Sequence, residues 1–254
     1  MKIIFEHTIT TADLHQHIPH VFEVPAGTTQ IHMEFTYQPR YSTGQEYPNQ
    51  MSLSLFDPAG PRGVYYLFRD YGITINGSRP TPGFDAGPVR PGTWVAFVDT
   101  YRLLPPDPIT YKIEIELSFA PIVEPVQVYN KPHIASRGPG WYRGDLHAHS
   151  LHSDASWDVP DLVQYARSQK WDFVTLSDHN TVSGLPQHDS LADDVLLTMG
   201  GLEHHLLRSR AGLGYSSLVR VAPRYRRKTD HAAACTASIG QRRILCDSSP
   251  NGPW

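Results

Sequence analysis

Arg143-Gly-Asp-Leu-His147, Val159-Pro-Asp-Leu-Val-Gln-Tyr-Ala166 and Trp171-Asp-Phe-Val-Thr-Leu176 set the architecture of the C-terminal half of this chain. The first segment reads as a short buried strand. In the second, Val159, Leu162, Val163 and Ala166 fall at i, i+3, i+4 and i+7, one face of a helix. Asp158 is an N-cap and Pro160 sits in the first turn. The third segment is a second strand, and Val195-Leu-Leu-Thr-Met199 reads as another. Strand, helix, strand at this spacing is a βαβ unit, which implies a parallel sheet or barrel.

In such folds the loops after the C-terminal strand ends build the site. Three strand ends here carry metal-ligating side chains: Asp145-Leu-His147-Ala-His149 with Ser153-Asp154, Ser177-Asp178-His179-Asn180, and Gly200-Gly-Leu-Glu203. Imidazoles two apart on an extended strand share a face, so both can reach one ion. Neutral imidazole suits Zn, Fe or Mn, and a bound metal lowers the pKa of its water towards about 7. The chain supplies its own control. Asp13-Leu-His15-Gln-His17 nearly copies the later motif but lacks the following Ser-Asp and Asp-His. It is read as two exposed or hydrogen-bonded histidines.

Gly144-Asp-Leu-His-Ala-His149, Ser153-Asp154 and Ser177-Asp-His-Asn180, taken together over residues 141–203, resemble the opening motifs of the PHP (polymerase and histidinol phosphatase) superfamily. Upstream, Phe56-Asp-Pro-Ala-Gly60 and Thr81-Pro-Gly-Phe-Asp-Ala-Gly-Pro-Val-Arg-Pro-Gly-Thr-Trp94 are similar to the β domain of CehA/McbA-type metallohydrolases. The resemblance implies a distorted (β/α)7 barrel and two or three divalent ions (Zn, Mn or Fe). It also implies hydrolysis of phosphoesters or, in that subfamily, of carbamate or related esters. It makes His147 and His149 ligands of one ion, Asp154 and His179 ligands of a second, and Glu203 a bridging carboxylate. Asp178 is either the catalytic proton acceptor for the nucleophilic water or a carboxylate orienting a histidine, and the second reading is preferred. Asn180 is read as closing its turn through a side-chain to backbone bond, and Trp141 and Tyr142 as packing at the domain junction.

Residues 20–120 are all-β. Ile31, Met33, Phe35 and Tyr37 alternate with polar partners, as do Tyr111, Ile113, Ile115, Leu117 and Phe119. Short apolar runs at Met51–Phe56, Val64–Phe68 and Thr93–Val98 lie between them, separated by Gly/Pro turns. This pattern predicts an antiparallel β-sandwich or jelly roll over 1–120, a Pro-rich linker over 121–140 and the first part of the PHP barrel over 141–203.

The last fifth breaks the pattern. Residues 1–203 carry 13 Lys+Arg and 23 Asp+Glu, a net of −10, whereas 204–254 carry 9 and 2, a net of +7, with both cysteines, Cys235 and Cys246. No Gly-His follows Glu203, and the later Asp-x-His ligand pair is missing. His204, His205 and His231 make no ligand pattern. The basic runs Arg224–Lys228 and Gln241–Arg243 are weakly diagnostic. This tail reads as translation of an out-of-frame or rearranged segment, which predicts an incomplete barrel, an incomplete metal site and impaired activity.

The acidic body argues against a nucleic-acid partner and against a polymerase-associated exonuclease. An N-terminal apolar run of three residues, the lack of a spanning segment and a cysteine-free body predict a cytoplasmic protein without membrane association. The leading expectation is therefore a metal-dependent hydrolase of a small-molecule phosphoester or ester. The alternative is a β-sandwich binding module for carbohydrate or a protein partner with a vestigial catalytic part. That alternative expects an exposed platform of Tyr65, Tyr66, Phe68 and Tyr71.

Overall fold

The computed structural model describes residues 1–65, 72–121, 128–130, 139–205 and 217–219. Eight strands form the N-terminal half: β1 (Lys2–Ile9), β2 (His17–Val24), β3 (Gln30–Gln38), β4 (Gln50–Asp57), β5 (Gly60–Tyr65), β6 (Ile73–Asn76), β7 (Gly92–Arg102) and β8 (Ile109–Ser118). They pair antiparallel into two four-stranded sheets, ordered β1-β8-β3-β6 and β2-β7-β4-β5. Residues of alternate parity point to opposite faces. Hence Ile31 and Met33 of β3 and Ile113 and Ile115 of β8 are buried, opposite Leu53, Leu55, Trp94, Ala96 and Val98 from the second sheet. Such side chains each stabilise the fold by roughly 1.5–3 kcal/mol when fully buried.

The expected sandwich is thus formed, and it begins earlier than its sequence signal at residue 20. β1 lies on the edge of its sheet, in register with β8 from Lys2↔Glu116 to Ile9↔Ile109. The buried alternation ends at Leu117, for Phe119 follows β8 and is half exposed.

The second unit is built from β9 (Gly144–Ala148), α1 (Val159–Ser168), β10 (Phe173–Leu176), α2 (Leu185–Ser190) and β11 (Leu197–Gly200). Both pairings are parallel, in the order β11-β10-β9. The Asp158 carboxylate accepts from the Val159 amide at the start of α1, with Pro160 in its first turn. Val159, Leu162, Val163 and Ala166 are buried against Val174, Leu176, Leu185 and Leu196. β9 and β10 approach closely at Gly144, where a Cβ would lie 2.1 Å from the Phe173 carbonyl oxygen.

The expected (β/α)7 barrel is not formed. Among the described residues the structure is mostly β, with only two helices and only three parallel strands. The next strand, β12 (Glu203–His205), pairs antiparallel with β13 (Ser217–Val219) and does not extend the parallel sheet. Three strands make an open sheet, because closure requires many more tilted strands to bring the edges together. Among the described residues no helix is long and apolar enough to cross a membrane. The reading of the tail as a foreign segment, with His231, both cysteines and both basic runs, lies outside the described residues. So do the side chains of His204 and His205.

Candidate metal centre

The ends of β9 and β10 and the start of β12 converge. His147 belongs to β9, and His149 follows it directly. Asp178 and His179 follow β10, and His179 forms an isolated parallel bridge with Glu203. The Asn180 amide donates to the Glu203 carbonyl at 2.9 Å, and the Glu203 amide to the Asp178 carbonyl at 3.2 Å. Asn180 adopts φ +54°, a left-handed conformation that asparagine tolerates better than most residues. Its side chain donates to the Tyr101 hydroxyl at 3.3 Å.

Two groups of side chains that could hold a metal ion result: His147, His149 and Glu203, and His149, Asp154 and His179. In the first, His147 Nε2 lies 2.8 Å from both His149 Nε2 and Glu203 Oε2, and His149 Nε2 lies 3.2 Å from Glu203 Oε2. Donors bound at about 2.0–2.2 Å around one ion stand roughly 3 Å apart, so this triangle has the size of a coordination face. A single Nε2–H cannot donate well to two neighbours, so a purely hydrogen-bonded arrangement satisfies these three atoms less well than a shared cation does. In the second group, His179 Nε2 lies 3.2 Å from Asp154 Oδ2 and His149 Nδ1 lies 3.6 Å from Asp154 Oδ1. The His149 and His179 rings stack at 4.4 Å between centroids. His149 Nδ1 is buried and makes no hydrogen bond.

The electrostatics are those of a site built for positive charge. Burial pushes the His149 pKa down, but the hydrogen bond to Glu203 and the charges of Asp154, Glu203 and Asp178 outweigh it and raise the value. Burial pushes Asp154 up, but His179 and His149 outweigh it and hold the carboxyl below its ordinary value. Glu203 is buried at 4% exposure, which a lone carboxylate does not tolerate without compensating charge.

Asp178 belongs to neither group. It is buried, and its carboxylate accepts from the Ser150 amide (2.7 Å), the Ser150 hydroxyl (2.7 Å) and the Ser153 hydroxyl (2.6 Å). This clasp ties the segment between His149 and Asp154 to the segment before His179. Ser150 and His152 carry no signal as site residues, because Ser and His in a loop show no period, whereas Ser153 stands in the Ser153-Asp154 motif.

Other expectations resolve differently. Trp141 is fully exposed and so does not pack at a domain junction, and Tyr142 is partly exposed. Tyr65 is buried in the sandwich core, not on an open platform, while Tyr66, Phe68 and Tyr71 lie outside the described residues. His17 hydrogen-bonds through Nδ1 to buried Asp99, and neither His15 nor His17 enters a metal-holding group.

Fold and site together define a β-sandwich coupled to a small parallel βαβ unit whose strand ends carry His/Asp/Glu groups able to hold metal. No family model, no curated protein and no solved structure matches the chain.

Proposed function

We propose that this chain is a metal-dependent hydrolase of the PHP type, acting on a phosphoester or related ester through metal-activated water. The observation that carries this reading is the triangle of His147 Nε2, His149 Nε2 and Glu203 Oε2, with sides of 2.8–3.2 Å. Three protein donors leave a coordination position open, which distinguishes catalytic from structural metal sites. A neutral imidazole has one free lone pair, so His149 serves one ion at a time. Its Nε2 would go to the first ion, and its Nδ1 lies 3.6 Å from Asp154 Oδ1, beyond hydrogen-bond distance. Asp154 and His179 serve a second ion. A bridging role for Glu203 rests on the resemblance alone, for its Oε2 lies 3.5 Å from His179 Nδ1, whereas the His179 nitrogen that faces Asp154 is Nε2. Zn, Mn and Fe all suit such donors.

When bound, the ions would supply hydroxide at neutral pH and stabilise developing negative charge on the substrate. Asp178 acts in this scheme by position. Three donors already occupy its buried carboxylate, which leaves it poorly placed to take a proton from water. The test is metal content after reconstitution with Zn, Mn or Fe, together with hydrolysis of a generic phosphoester such as p-nitrophenyl phosphate. Bound metal and turnover that both fall in His147→Ala support the reading. A chain that retains no transition metal after reconstitution overturns it.

A further inference from the structure

Three hydrogen bonds between described residues join the sandwich to the βαβ unit beside one half of the metal centre. Gly83 contributes both of its backbone groups. Its amide donates to His152 Nδ1 at 3.3 Å, and its carbonyl accepts from the Thr181 hydroxyl at 2.9 Å. His152 Nδ1 also lies 2.7 Å from Ser183 Oγ, and Thr181 Oγ1 lies 3.0 Å from the same Oγ. Asn180 reaches Tyr101 at the end of β7. His152 precedes Asp154 by two residues, and Asn180 and Thr181 directly follow His179. Thus both ligands assigned to the second ion sit within two residues of a side chain anchored on the sandwich. His147, by contrast, lies in the irregular stretch of the β9–β10 ladder between the paired Asp145 and Ala148, and its amide donates to Asp145 Oδ1 at 2.9 Å, all within its own unit.

The anchor itself is stiff. Gly83 has φ +101°, and a Cβ there would lie 2.3 Å from the Val64 carbonyl oxygen. Its carbonyl also accepts from the Val64 amide at 3.0 Å, and Val64 and Phe84 on either side of the contact are buried. The turn is therefore held by the sandwich core and can impose its position on the neighbouring loops.

We propose that the β-sandwich is a positioning element of the metal centre, with Gly83 and Tyr101 setting the separation of Asp154 and His179 and hence the affinity for the second ion. This rests on the two-ion reading above. Residues acting behind metal ligands typically change affinity by about 10–100-fold when removed.

The test is zinc titration of the full chain against a competing chelator, with His147→Ala and His179→Ala marking which binding step is which. Thr181→Val keeps the side-chain shape and removes the donor. It weakens the step lost in His179→Ala about 10-fold, leaves the other within about 2-fold, and Thr181→Ser restores both. Tyr101→Phe reads the same ratio through a separate contact, should Thr181→Val not fold. A general loss of structure lowers both affinities together, so the ratio distinguishes positioning from instability. Equal weakening of both steps, or no change in either, overturns the inference while the two-ion reading stands. A wild-type chain that binds fewer than two zinc ions overturns both.

Discussion

His147 Nε2 and Glu203 Oε2 meet at 2.8 Å although 56 residues separate them along the chain. The contact brings the end of the first parallel strand to the segment that follows the third. It also gives buried Glu203 its compensating partner. Glu203→Gln removes the charge and keeps the shape. Metal affinity should fall by 100-fold or more by titration, since a ligand is lost outright and not merely reoriented. Unchanged affinity removes Glu203 from the ligand set.

His149 gives a pH prediction with two opposite signs. Its folded pKa is raised above the ordinary 6.5, the hydrogen bond to Glu203 and three carboxylate charges outweighing burial. A raised value means that the metal-free fold gains stability from this group below pH 6.5. That stability is lost as pH rises through the folded value. Metal needs the neutral ring, so zinc affinity moves the other way and strengthens over the same window. Denaturation of the metal-free chain and zinc titration, each at pH 6 and pH 8.5, should show these opposite trends, both reduced in His149→Gln. Parallel trends contradict the assignment.

The Asp178 clasp predicts a graded loss of stability. Asp178→Ala leaves the buried Ser150 amide unsatisfied and removes three charge-assisted hydrogen bonds, which should cost about 3 kcal/mol or more. Ser153→Ala removes one donor and should cost roughly 1–2 kcal/mol. Urea denaturation measures both. Were Asp178 the proton acceptor for the nucleophilic water, Asp178→Asn would abolish turnover with stability and metal content intact. The clasp predicts instead that all three decline together.

His188 of α2 is fully buried, and neither ring nitrogen has a hydrogen-bond partner. Burial pushes its pKa down to about 4. The ring is neutral in the fold and takes a proton on unfolding below pH 6.5, so stability is present above 6.5 and is lost as pH falls towards 4. At pH 5 the loss is about 2 kcal/mol relative to pH 7.5. His188→Leu has similar bulk and no polar atoms. It should raise the urea midpoint at both pH values and shrink the difference between them by that amount. An equally acid-sensitive variant shows that the loss arises elsewhere.

The parts of this molecule that sequence reveals are those where one face is buried. β3 and β8 show period two because Met33 and Ile115 point inward while Glu34 and Glu116 point out. α1 shows its stripe for the same reason, and its Asp158 cap is a local effect. β1 is edge-bound and carries Glu6 and His7 side by side, which blurs the alternation. α2 is six residues long, too short for a period to emerge. The donor residues of the site were visible as residue types after strand ends. What holds them was not, because the Asp178–Ser150 clasp and the Gly83–Thr181 contact join residues 28 and 98 apart with no pattern in either partner. The barrel expectation came from motif likeness, which constrains the ligands of a site far more than the number of strands around it.

Gly144 offers the most direct test that the βαβ unit positions the site. It opens β9, and its Cα faces β10 so closely that a methyl group would sit 2.1 Å from the Phe173 carbonyl oxygen and 2.6 Å from the Phe173 ring. A backbone oxygen cannot swing away as a side chain can, so Gly144→Ala must push β9 off β10. The cost should be about 3 kcal/mol, the upper end for overpacking, and should appear as a lower urea midpoint. His147 lies three residues further along the same strand, and displacement of a ligand by a fraction of an ångström weakens a site built at 2.8 Å spacings. The step lost in His147→Ala should therefore weaken in Gly144→Ala as well. The Asp154–His179 step, anchored through the sandwich, should weaken less. A variant with the wild-type midpoint shows that the two strands do not approach this closely, and one with a lowered midpoint but unaltered zinc binding shows that β9 does not set His147.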